Sequence, residues 1–151
     1  MVATYRYGSE RADDALRVGV ARYLPRGIRK SQYADQGYFD LWLRVLSPSA
    51  ELVKNYRAGK LNFRQFASHY RKEMQAAEAQ QAVELLALLA QERRLAVGCF
   101  CKDEKACHRS VLKDLLEKAA RKLPRVSREK AEASARRPNA SPVCYACDED
   151  F

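Results

Sequence analysis

Leu95-Ala96-Val97-Gly98-Cys99-Phe100, followed by Cys101-Lys102-Asp103-Glu104-Lys105-Ala106-Cys107-His108-Arg109, is the stretch on which the architecture turns. Its first six residues are apolar without a break and too few for a buried helix. That predicts a strand covered on both faces, as in a parallel sheet. Downstream, Val111, Leu112, Leu115, Leu116 and Ala119 form the stripe of a helix that begins near Cys107 and is ended by Pro124. At the junction stand three thiols (Cys99, Cys101 and Cys107), the second of only two histidines, and an arginine.

Upstream, Val18 and Val20 alternate with Gly19 and Ala21. This predicts a short strand over residues 17–23, with one apolar face and one face small enough for close packing. Pro25-Arg26-Gly27 then turns the chain, because Pro fixes φ and Gly permits positive φ. The aromatic-rich stretch through Tyr33, Tyr38, Phe39, Leu41, Trp42, Leu43 and Leu46 reads as a helix or a packed loop. Ser47-Pro48 reads as a helix start, with Ser as the cap and Pro at the first helical position. That helix turns Leu52, Val53 and Tyr56 inward and stops near Gly59. Asn62 with Gln65 has the pattern of a capping box, ahead of a stripe of Phe63, Phe66, Tyr70 and Met74. A further helix carries Val83, Leu85, Leu86, Leu88 and Leu89 and ends near Arg93-Arg94. Residues 4–8 offer one more strand. Strand, helices, strand, helix in that order predicts an α/β protein with a parallel sheet at its core.

The 151 residues fit one domain, 1–123, with a basic C-terminal tail over 124–151. No apolar run approaches the ~20 residues of a membrane span, and the N-terminus lacks a signal peptide's apolar core. The expectation is a soluble cytoplasmic protein with no membrane partner. Five cysteines, an odd number, fit reduced thiols, metal ligands or a reactive sulfur better than a disulfide framework. The net charge is +9, from 28 basic and 19 acidic residues. Residues 118–137 alone contribute eight Lys or Arg against two Glu. Such a balance points to an anionic partner, a nucleic acid or a phosphorylated small molecule, with a plain solvated face as the competing reading. Residues 125–143 hold too few large apolar side chains to offset the entropy of ordering, which predicts a flexible tail. The tail ends in a Cys-x2-Cys pair, Cys144 and Cys147.

Several of these residues recur together in one family. Tyr5-Arg6-Tyr7-Gly8-Ser9, Arg22, Pro25-Arg26-Gly27 with Lys30, Trp42, Ser47-Pro48-Ser49, Leu52, Cys101 and Cys107-His108-Arg109 resemble the YeaO-like family, also called domain of unknown function 488. The resemblance runs from about residue 4 to about residue 120. It implies a compact three-layer α/β fold with a Rossmann-like core, and it implies no reaction. The chain departs from the family pattern at Ala21, where many relatives carry Asp, and at Leu24, where they carry Trp.

In open parallel sheets, ligands bind beyond the carboxyl ends of the strands. The loop 101–107 lies there and leads into a helix N-terminus, whose free N–H groups and dipole favour an anion. Arg22, Arg26, Lys30 and Arg109 are the candidate anion ligands, provided the two strands are neighbours. The alternative is that they pair with surface acids such as Asp103 and Glu104. Cys107, at the helix start, is expected to have a lowered thiol pKa. His108 would stand about 100° around a helix from it, so the two are not automatically nucleophile and base. Cys101 can reach Cys107 across the loop, and Cys99 reads as a small core hydrophobe. His69 reads as a half-buried packing residue. Cys101, Cys107, Cys144 and Cys147, with His108 as a fifth donor, also make a candidate zinc set.

Two functional readings result. In the first, a small α/β protein recognises an anionic ligand (a nucleotide, a nucleic-acid end or another phosphorylated compound) at Arg22, Arg26, Lys30 and Arg109. Cys101, Cys107 and His108 then supply any chemistry. In the second, the chain is a non-enzymatic, zinc-stabilised nucleic-acid-binding module, its thiols structural and its basic tail tracking phosphate.

Overall fold

A computed structural model describes residues 2–11 and 14–125. Strands β1 (Val2–Arg6), β2 (Leu16–Gly19), β3 (Leu41–Trp42) and β4 (Leu95–Cys99) form a four-stranded sheet in the order β1-β4-β2-β3, and every pair is parallel. The apolar run at 95–99 is thus a central strand, and all five of its residues are buried. Its neighbour is β2, paired as Val18 with Val97 and Gly19 with Gly98. This adjacency brings the two chemistry-bearing strand ends together.

Four helices follow from the patterns above: α1 (Ala50–Arg57), α2 (Phe63–Glu73), α3 (Ala77–Glu92) and α4 (His108–Lys122). The Asn62–Gln65 capping box forms as expected. The cap of α1 is Ser49 rather than Ser47. The Ser47 hydroxyl donates to Arg44 O at 2.6 Å, closing a 3-10 turn over Arg44–Leu46, so Ser49 is left to accept from Leu52 N–H at 3.1 Å. On α3, Leu85 is exposed, whereas Val83 and Leu86 enter the core as expected.

The main core gathers Val18, Val20, Leu95 and Val97 with Phe66, Tyr70, Leu86 and Leu112 from the helices. The opposite side of the sheet is covered by the aromatic segment. That segment is a packed loop with a 3-10 turn (Lys30–Gln32) and the two-residue edge strand β3, not a helix. Gly19 and Gly98 make this approach possible. A Cβ at Gly19 would stand 2.5 Å from Tyr7 Oη, and one at Gly98 would stand 2.2 Å from the Tyr5 ring. The small-residue face expected of β2 is therefore the floor of an aromatic layer. Arg17 is buried there, its guanidinium over the Tyr5 ring at 4.6 Å and bonded to Ser9 O and Gly37 O. No described helix is long and apolar enough to cross a membrane. The tail, with Cys144 and Cys147, lies outside the described residues.

Candidate functional site

A cavity of about 190 Å³ opens at the carboxyl ends of β2 and β4, under α1 and the start of α4. Arg22 and Tyr23 enter it from the segment after β2, and Cys99, Cys101, Cys107 and His108 from the β4–α4 junction. Val53, Tyr56 and Arg57 of α1 and Phe66 of α2 complete much of its wall. The wall is largely apolar.

The three sulfurs of Cys99, Cys101 and Cys107 lie within 4.8 Å of one another, close enough for one metal ion. Cys99 and Cys101 Sγ are 3.7 Å apart, and all three cysteines are free thiols. Cys99 and Cys107 are buried, whereas Cys101 is exposed. Cys99 packs in the aromatic layer as the core residue expected, and its sulfur also joins this cluster. Its signal in the sequence was its spacing, since residues two apart on an extended chain share a face. Arg57 was also missed, because nothing in α1's own sequence announces that its last turn borders this cavity.

Cys107 is the N-cap of α4, with φ −129° and ψ 145°. This extended geometry holds it outside the helix, so the helical separation from His108 does not apply. Cys107 Sγ lies 3.7 Å from His108 Nδ1. His108 Nε2 lies 2.9 Å from Val20 O. A carbonyl only accepts, so Nε2 carries the proton and Nδ1 offers its lone pair toward the sulfur. Burial lowers the His108 pKa, which keeps the ring neutral.

The thiol expected to be activated is the wrong one. Cys107 is pushed well above its ordinary pKa, first because its thiol bonds to Cys101 and then to Cys99. Cys101 moves the opposite way, since the Cys107 and Cys99 thiols stabilise its charged form and the Arg109 charge assists. Cys99 is raised to about 11 by its bond with Cys101. The helix-start argument fails here because neighbouring sulfurs act at shorter range than the dipole.

The arginines separate into three roles. Arg22 lines the cavity, and its Nε is buried without a hydrogen-bond partner. Arg109 is buried and faces inward. Its Nη1 donates to Tyr5 O at 3.1 Å and to Cys101 O at 2.9 Å. Its Nη1 ties the ends of β1 and β4 to the junction loop, while its Nε, like that of Arg22, is buried without a hydrogen-bond partner among the described residues. Arg26 and Lys30 are exposed and outside the cavity lining, so the cavity does not collect them as expected. His69 is exposed on α2 rather than packed.

Together these features define a small parallel α/β protein with a thiol-rich pocket at the carboxyl end of its sheet. The chain belongs to the DUF488 family: residues 2–120 match the profile described as the active DUF488-N3 subclade. It is similar to a protein named "Uncharacterized protein YeaO" from Escherichia coli (strain K12), with 30% identity over 110 residues, 73% of this chain and 90% of that relative. No solved structure matches the chain.

Proposed function

We propose that the cavity recognises an anionic ligand, nucleotide-like or otherwise phosphorylated. Arg22 holds the charge, and the reacting end of the ligand meets the corner formed by Cys101, Cys107 and His108. The observation that carries this reading is Arg22 Nε, buried in the cavity wall with no acceptor among the described residues. A buried donor left unpaired costs about 1–3 kcal/mol. A phosphate or carboxylate oxygen relieves that cost while matching the guanidinium charge. Arg57 adds a second cation at the rim, the start of α4 adds its dipole, and the apolar wall of Val53, Tyr56 and Phe66 suits a flat ring. A reducing, cytoplasmic setting agrees with the free thiols. Calorimetry with inorganic phosphate and nucleoside monophosphates tests it. Binding weakened at least ten-fold by Arg22→Ala supports the reading, and binding indifferent to that change rejects it.

The thiol cluster also favours the second reading, a zinc-stabilised nucleic-acid-binding module. There Cys101 and Cys107 join Cys144 and Cys147 as the four ligands, with Cys99 close beside them, and the basic tail meets phosphate. Truncation after Pro124 should then flatten the dependence of nucleic-acid affinity on salt. An unchanged slope removes the tail from the interface.

A further inference from the structure

We propose that Cys99, Cys101 and Cys107 are the three protein ligands of a thiophilic divalent cation of the zinc type, whose fourth coordination position opens into the cavity. The assignment deepens the anion reading by setting the cation beside Arg22, but its metal-binding half stands without that reading.

The sulfur geometry is the first support. Two thiolates each about 2.3 Å from a tetrahedral ion lie about 3.8 Å apart. Cys99 and Cys101 are already at 3.7 Å. The third sulfur lies within 4.8 Å of both, so a shift of at most about 1 Å completes the triangle. Soft sulfur donors select zinc-like ions over magnesium or calcium. The second support is the donor count. Among the described residues no fourth His, Cys, Asp or Glu atom lies within 4.8 Å of all three sulfurs; His108 Nδ1 reaches the Cys107 sulfur, at 3.7 Å, but not the whole set. Structural zinc sites close with four protein ligands, while sites that act on a ligand keep one position free. Here the three cysteines border a cavity rather than a sealed core. The free position therefore meets the same space as Arg22 and Arg57.

Charge and protons balance. Three S–H bonds break and three metal–sulfur bonds form, with three protons passing to solvent and no change of oxidation state. The resulting centre carries one negative charge. The buried Arg109, which bonds the Cys101 carbonyl, offsets it together with Arg22 and Arg57. A phosphate oxygen can then take the fourth position with its remaining charge on the arginines.

The test uses the full chain, stripped with a chelator, held under a phosphine reductant and titrated with Co(II) or Cd(II). One equivalent should bind with sulfur-to-metal charge-transfer absorption. Cys101→Ser should lower the affinity at least ten-fold. Because position 101 is exposed, that variant should also keep the wild-type melting temperature, unlike changes at the buried Cys99 and Cys107. The double variant Cys144→Ser/Cys147→Ser should bind as tightly as wild type. Absorption that survives Cys101→Ser, or is lost in the double tail variant, overturns the assignment. Imidazole, a neutral ligand, tests the open position: it should shift the Co(II) visible bands, and unshifted bands overturn that part. Phosphate reports separately on the anion reading. A phosphate shift abolished by Arg22→Ala with the metal retained supports both, whereas phosphate binding without metal binding leaves the anion reading standing and rejects this one.

Discussion

His108 Nε2 donates to Val20 O across 2.9 Å, joining the first residue of α4 to the residue just past β2. The bond orients the imidazole so that its other nitrogen faces Cys107. The Tyr70 ring packs edge-on against it, 5.5 Å between centroids. The same contact therefore fixes the tautomer and pins the helix start to the sheet.

His108→Phe keeps the ring volume and removes the donor. Val20 O then loses its partner in a buried site, and the expected loss of stability is about 1–3 kcal/mol. Urea unfolding should show a lower midpoint at unchanged slope. A midpoint equal to wild type would mean that the bond contributes nothing to the fold.

Arg22 and Arg109 should separate cleanly by readout. Arg109→Met strips donors from the carbonyls of Tyr5 and Cys101 and should lower stability by about 1–3 kcal/mol. Arg22→Ala removes a group with one unpaired buried N–H, so it should leave thermal stability nearly unchanged while weakening phosphate binding. Lys30→Ala, on an exposed residue outside the cavity, should do neither. Melting curves paired with phosphate titrations on the three variants check this. A stability loss in Arg22→Ala larger than in Arg109→Met would reverse the assignment of roles.

The strand at 95–99 and the helix after Cys107 were legible because burial and helical spacing write themselves directly into residue order. The same holds for the Asn62 cap, whose two bonds span only three residues. What the sequence left open depends on contacts between distant segments. β3 is two residues long, and its pairing with β2 is set by how the aromatic layer lands on Gly19, which no local pattern records. Arg109 was legible as a cation beside His108, but its bond to the carbonyl of Tyr5, 104 residues earlier, was not. Cys101, Cys107, His108 and Arg22 were readable as neighbours because parallel topology brings strand ends together, and all four line one cavity. Cys107 was assigned the wrong thiol chemistry because proximity of three sulfurs, unlike a helix start, is a tertiary fact.

Gly98 has no room for a side chain. A Cβ there would stand 2.2 to 2.6 Å from the Tyr5 ring and hydroxyl, and Tyr5 is itself tied to Tyr38 O and covered by Arg17. Gly98→Ala should cost about 1–3 kcal/mol by overpacking. The companion variant Gly98→Ala/Tyr5→Leu should regain part of the lost stability, as measured by urea unfolding. No recovery would show that the clash is not with Tyr5.

The buried phenols set the alkaline limit of the fold. Burial raises the pKa of Tyr5, of Tyr7 and of Tyr70 well above the ordinary value of 10.0. Their folded-state pKa values exceed those of the unfolded chain, so the folded protein holds protons that the unfolded chain would release. The stability from these groups is complete below pH ~10 and is lost as pH rises toward the folded values. Spectrophotometric titration followed in parallel with circular dichroism tests this. The phenols of Tyr5, Tyr7 and Tyr70 should ionise only together with loss of the circular dichroism of the helices. Ionisation of Tyr5 and Tyr7 at the ordinary pKa with the helices intact would mean that water reaches the aromatic layer and that the Gly19–Gly98 floor is not sealed.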